Sequence, residues 1–255
     1  MVEFIVIVEA RADAELGTKL AERVFLETVE WLDSDQLPYY FQWRGLKEGT
    51  EFSCWKDIKV IIDFFKQELG YKPPRFLGGK GAKLKTDGAA ARKILNLVRF
   101  LQRQREIKAI LFIRDLDNQP ERRQHLEDVR SEEISKKPQL EIIIGTPDRN
   151  REAWVLNGFI PGDAQERELL EDMVKKLSFD PCLEAYKLRS PEPQELRNAK
   201  SVLYKLTRND YSREQQCWEA TDLEVLRERG ENTGLASYLC EIETWLIPIL
   251  SGVIQ

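Results

Sequence analysis

The run Ile110-Leu-Phe-Ile113, which ends at Arg114-Asp115-Leu-Asp117, constrains the fold more than any other stretch. Four consecutive apolar residues, closed off by charge and then by Asn118-Gln-Pro120, have the character of a strand buried on both faces. Strands of that kind belong to parallel sheets covered by helices. Phe4–Val8 and Leu140–Ile144 read the same way, and Tyr39–Trp43 is a shorter aromatic strand. Amphipathic stretches lie between them, at about 13–32, 55–69, 89–104 and 120–134, with a short helix after Asp148. This alternation predicts an α/β fold with a mainly parallel, Rossmann-like sheet flanked by helices over residues 1–160.

Beyond Pro161 the strand signals stop. Residues 164–177, 193–206, 222–229 and 234–250 read as helices, so 161–255 is expected to be a helical portion packed on the sheet domain. The chain is 42% hydrophobic and 33% charged, a globular profile. It shows no apolar run approaching the roughly 20 residues of a membrane span. The start, Met1-Val-Glu-Phe-Ile-Val, reads as a first strand and not as a secretory signal. Cys54, Cys182, Cys217 and Cys240 lie far apart with no C-x-x-C pair, which points to reduced cysteines in a cytoplasmic protein.

The net charge of −5 conceals an asymmetry: residues 66–105 hold eleven Lys or Arg against two acids. A segment of that kind supplies an electrostatic footprint for nucleic acid, or else forms a solvated helix face and a loop. Within it, the Gly78–Gly88 loop carries Lys80, Lys83 and Lys85, and Arg92 follows on the next helix. Glycines that admit close approach and lysines that neutralise charge suit a phosphate, although a plain surface loop has the same composition. The loop is not a Walker A motif.

Acids follow three of the strands. Glu9 ends the first, with Asp13 four residues on; Asp115 and Asp117 end the central one; Asp148 and Glu152 follow the next. In a parallel sheet these ends share one edge, where open α/β sheets bind ligands. Clustered carboxylates repel one another unless a cation lies between them, and carboxylate oxygens are the ligands that Mg²⁺ or Mn²⁺ prefers. Each acid also has a local reading. Asp13 and Asp148 suit helix caps, Glu152 the first turn of a helix, and Asp117 a turn. With His125 as the only histidine, a His-rich zinc site is excluded, and no G-x-S-x-G or G-x-G-x-x-G occurs.

The order Ile-Val-Ile-Val-Glu9-(x)₃-Asp13, then Phe-Ile-Arg-Asp115-Leu-Asp117, resembles the TOPRIM domain of topoisomerases, primases and OLD-type nucleases. The Glu-x-x-x-Asp spacing is most similar to the OLD-type nucleases. Arg151-Glu-Ala-Trp-Val-Leu156 and Gly234-Leu-Ala resemble a prokaryotic TOPRIM-like family without a settled activity, often encoded beside ATPases in phage-defence or mobile loci. The glycine that follows the TOPRIM glutamate is replaced here by Ala10. The resemblance implies a Mg²⁺- or Mn²⁺-dependent nuclease acting on DNA or RNA. Glu9 would be ligand or general base, Asp115 and Asp117 the principal ligands, and Asp13 and Glu152 supports for a second ion. Lys80, Lys83, Lys85 and Arg92 would hold the phosphate backbone. The rival reading keeps the fold without the chemistry, as an accessory subunit of an ATPase.

Overall fold

The computed structural model describes residues 1–74 and 86–253. β1 (Val2–Val8) leads into α1 (Arg11–Thr28), the single turn α2 (Leu37–Tyr40), β2 (Phe41–Arg44) and the two-residue β3 (Ser53–Cys54). Helices α3 (Ile58–Glu68) and α4 (Thr86–Leu101) precede β4 (Ile107–Ile113). Then come α5 (Glu121–Glu133), β5 (Glu141–Gly145) and α6 (Arg151–Asn157). The remainder is helical: α7 (Ala164–Leu177), α8 (Ala199–Leu206), α9 (Tyr211–Glu219), α10 (Leu223–Arg229), α11 (Leu235–Trp245) and α12 (Ile247–Val253).

The strands pair in parallel in the order β2-β1-β4-β5, and β3 takes up the far end of β1 where β2 has stopped. Ile7 sits opposite Phe112, and Ile113 opposite Gly145, so the carboxyl ends of β1, β4 and β5 finish together. Both faces of the sheet are buried, as the apolar runs require. Phe4, Val6 and Val8 join Ala109, Leu111 and Ile113 on one face, which α1, α6 and the C-terminal helices cover. Ile5, Ile7, Ile110 and Phe112 point the other way, against α3, α4 and α5. This is the two-residue alternation of the pleat applied to strands that are apolar on both sides. Among the described residues no helix is long and apolar enough to cross a membrane.

The C-terminal helices share the apolar core of the first face with the sheet. Tyr238 of α11 stacks on Trp154 of α6 at 5.1 Å and donates its hydroxyl proton to the Gly17 carbonyl of α1 (2.9 Å). Trp154 Nε1 and the Asp148 amide both donate to the Thr233 carbonyl, at 2.8 and 2.7 Å. Gly234 then turns the chain into α11 at φ +81°, and a Cβ there would lie 2.4 Å from the Thr146 carbonyl oxygen.

Several boundaries differ from the sequence reading. α1 stops at Thr28, and Leu32 is buried without being helical. Residues 193–198 are non-helical, so the helix expected over 193–206 is only Ala199–Leu206, capped by Asn198. The last helix is two, α11 and α12, with Pro248 in the first turn of the second, where its missing N–H costs least. α9 and β3 were not expected.

Replacing Gly234 by alanine forces a Cβ into a left-handed turn and against backbone. It should destabilise the fold by roughly 2–4 kcal/mol, a clear fall in thermal midpoint. An unchanged midpoint would show that the Thr233–Gly234 turn does not tie the helical portion to the sheet.

Candidate functional site

Past their last residues, β4 and β5 continue to pair. The Arg114 amide donates to Gly145 O (2.9 Å), Leu116 to Pro147 O (3.1 Å) and Asp117 to Arg149 O (2.9 Å). The loop carrying both aspartates is thereby held over the sheet end. Asp117 and Asn118 make the turn at φ +48° and +60°, a region that Asp and Asn tolerate better than other non-glycine residues. Continuing the pleat sends the Arg114 side chain to the α4 side, where its Nε reaches Asp87 Oδ1 at 3.1 Å.

Glu9 follows β1 directly. Its Oε1 accepts from Arg114 Nη1 (2.8 Å) and from the Asp115 amide (3.3 Å). Burial pushes its carboxyl up, with the charges of Asp117 and Asp13 adding to the rise and Arg114 opposing it. Asp13 is buried and accepts from the Ala10 amide at 2.7 Å, the reach-back bond of an acid in the first turn of a helix. Its other oxygen lies 3.9 Å from Arg151 Nε, and burial raises its pKa too. Glu152, in the first turn of α6, is 3.7 Å from Arg151 Nη2. Asp117 is exposed and bound by Arg122 Nη1 at 2.8 Å.

Asp115 stands apart from these pairs. Among the described residues its carboxylate accepts no hydrogen bond and meets no arginine or lysine at ion-pair distance. The Arg122 bond of 2.6 Å goes to its backbone carbonyl. Burial, followed by the charges of Glu9, Asp13, Glu152 and Asp117, pushes the Asp115 carboxyl up to about 9. The structure therefore brings all five expected acids into one electrostatic group at the sheet end. Asp148 is drawn instead to Arg189, at 3.0 Å.

Sequence reasoning missed three arginines and Asp87. Asp87, buried near the start of α4, lies between Arg114 and Arg122, 3.6 Å from the Nε of the latter. Arg151 stands between Asp13 and Glu152 and reaches Glu214 at 3.0 Å. One signal for Arg151 was available: a cation in the first turn of a helix opposes the macrodipole, so it needs acids from elsewhere. Of the expected phosphate-binding residues, Lys80, Lys83 and Lys85 lie outside the described residues. Arg92 pairs with Glu132 of α5 through its Nε at 3.0 Å.

The side chains of Glu9, Asp13, Asp115, Asp117 and Glu152 offer carboxylate oxygens, the chemistry that suits Mg²⁺ or Mn²⁺. In the side-chain arrangement shown, arginines separate the acids, and among the described residues no three His, Cys, Asp or Glu side chains are grouped to hold a metal ion. Compared with protein-family profiles, curated proteins and solved structures, the chain matches none.

The Asp115 environment has a pH consequence. Its pKa in the folded chain, about 9, exceeds the unfolded value of about 3.9, so the native state binds the extra proton between those limits. This residue's contribution to stability is present below about pH 4 and is lost as pH rises toward 9. Asp115→Asn should therefore gain on wild type as pH rises from 5 to 8, read as denaturant midpoints. A pH-independent difference between the two proteins would contradict the placement of Asp115 among the other acids.

Proposed function

We propose that the chain is a divalent-cation-dependent phosphodiester hydrolase, a nuclease of TOPRIM-like type, working at the carboxyl end of β1, β4 and β5. The observation that supports this most is Asp115: a carboxylate held among four others, with no arginine of its own. Such crowding is unfavourable without a counter-charge, and a hard divalent cation supplies one that oxygen ligands accept. Asp115 would hold the ion together with Glu9 and Asp117, and Asp13 and Glu152 would support it from the α1 and α6 side. When bound, Mg²⁺ or Mn²⁺ lowers the pKa of a water and stabilises charge that develops on a phosphoryl group.

The chain's own groups have complementary tasks. Arg114 and Arg122 present guanidinium groups at the same edge, held by Asp87, and such forks match phosphate oxygens in geometry and charge. If the ion is held by Asp115 and Asp117 without it, Glu9, with its pKa raised by burial, is suited instead to take a proton from an attacking water. The two-strand pairing beyond β4 and β5 fixes the position of Asp115 without a glycine after Glu9, the place held by Ala10.

A second reading is favoured by one observation. Arg114, Arg122 and Arg151 already neutralise part of the acidic rim, as expected of a chain that keeps this fold as a non-catalytic accessory subunit. Cleavage separates the two. Purified protein with Mg²⁺ or Mn²⁺ should cut DNA or RNA, and the double substitution Asp115→Ala, Asp117→Ala should lower the rate by at least about 100-fold. Equal cleavage by the double variant would remove these residues from the site, and no cleavage by wild type would favour the accessory role.

A further inference from the structure

The side of the sheet opposite α1 carries a groove of about 610 Å³ between α3 and α4. Its floor is apolar, with Ile58, Ile62 and Tyr71 buried beneath it. Among the described residues its charged lining is lopsided: Lys56, Lys59, Lys66 and Lys93 against the single acid Asp63. That acid is neutralised by Lys66 at 2.8 Å. Lys56, Lys59 and Lys93 are exposed and have no carboxylate partner among the described residues. In a chain of net charge −5, whose lysines elsewhere often sit beside an acid, this is a local surplus of positive charge.

One end of the groove meets the acidic rim. Trp55 lines the groove, and its Nε1 donates to the Ile113 carbonyl at 2.9 Å, the last residue of β4. The Arg114 guanidinium lies 5.7 Å from the Trp55 ring centroid, and Asp115 is the next residue in the chain. A basic track over an apolar floor is an arrangement with which proteins follow a single nucleic-acid strand, lysines taking the phosphates; here it leads to Trp55, whose ring packs on Phe112 at 5.1 Å and carries Arg114.

We propose that the groove between α3 and α4 is the path by which a single-stranded nucleic acid enters the rim, with Lys56, Lys59 and Lys93 on its phosphates and Trp55 where it reaches Asp115. This rests on the nuclease reading for what happens at the rim, but the binding stands on the groove alone. Charge set around an apolar floor favours a strand with exposed bases over a duplex, whose bases are stacked inward.

The test is fluorescence anisotropy with a labelled mixed-sequence oligonucleotide in EDTA, so that no cleavage occurs, with DNA and RNA as separate arms. Lys56→Ala, Lys59→Ala and Lys93→Ala together should weaken binding on the order of tenfold. They should also flatten the dependence of log K on log salt by about 2, since each neutralised phosphate on a single strand contributes about 0.7. Alanines at Lys175, Lys200 and Lys205, exposed lysines on the helical portion, should change neither quantity. An unchanged slope in the groove variant, no oligonucleotide binding by wild type, or displacement of the strand by polyglutamate at equal charge would overturn the proposal. Binding lost in the groove variant, with cleavage by no protein, would leave the groove standing and remove the nuclease reading. Cleavage at the wild-type rate by the groove variant would do the reverse.

Discussion

Carboxylates brought to one edge of a sheet repel one another, and the surroundings of that edge in this protein answer the repulsion. The parallel register of β1, β4 and β5 ends Val8, Ile113 and Gly145 side by side, which brings Glu9 and Asp115 to one edge, while Asp148 turns away to Arg189. Arginines are inserted at three points. Arg114 takes Glu9, Arg122 takes Asp117, and Arg151 stands between Asp13 and Glu152. Asp115 is left without one, and burial together with the charges of the other four acids pushes its carboxyl up to about 9.

The rest of the fold keeps that edge in place. The apolar alternation of β1 and β4 demands a helical layer on each face, and the layer on the first face is completed by α11 from the far end of the chain. Thr233 and Gly234 are the joint: one carbonyl receives both Trp154 and the Asp148 amide, and a side chain at Gly234 would collide with Thr146. The helical portion thus buttresses the loop that follows β5, to which the Asp115–Asp117 loop is in turn hydrogen-bonded. The lysine-lined groove lies on the other face, and Trp55, which lines it, is hydrogen-bonded to the last residue of β4.

Much of this was legible in the sequence, for physical reasons. Strands buried on both faces appear as unbroken apolar runs, and 4–8, 110–113 and 140–144 each fall within three residues of the observed strand ends. Because parallel strands end together, Glu9 after β1 and the Asp115 amide after β4 meet at 3.3 Å, whereas Asp148 after β5 turns to Arg189. What was illegible depends on partners distant in sequence. α9 is mostly polar, buries Cys217 and Trp218 only, and begins at an Asp210 cap, so its apolar period is too sparse to read. Leu32 fits a helical spacing yet is buried in the segment after α1, where the tertiary core decides. The arginines of the rim read as surface charge until the neighbouring strand ends supply their acids.

On the proposed reading a divalent ion completes the Asp115 environment. Thermal unfolding of the metal-free protein, with and without Mn²⁺, addresses it directly, since an ion that binds only the native state raises the midpoint by mass action. At about 100 times the dissociation constant the gain is about 2.7 kcal/mol, or about 5–10 °C for a chain of this size. Wild type should show that rise, and Asp115→Asn should lose most of it. A wild-type midpoint indifferent to Mn²⁺, or a rise of equal size in the Asn variant, would contradict the claim.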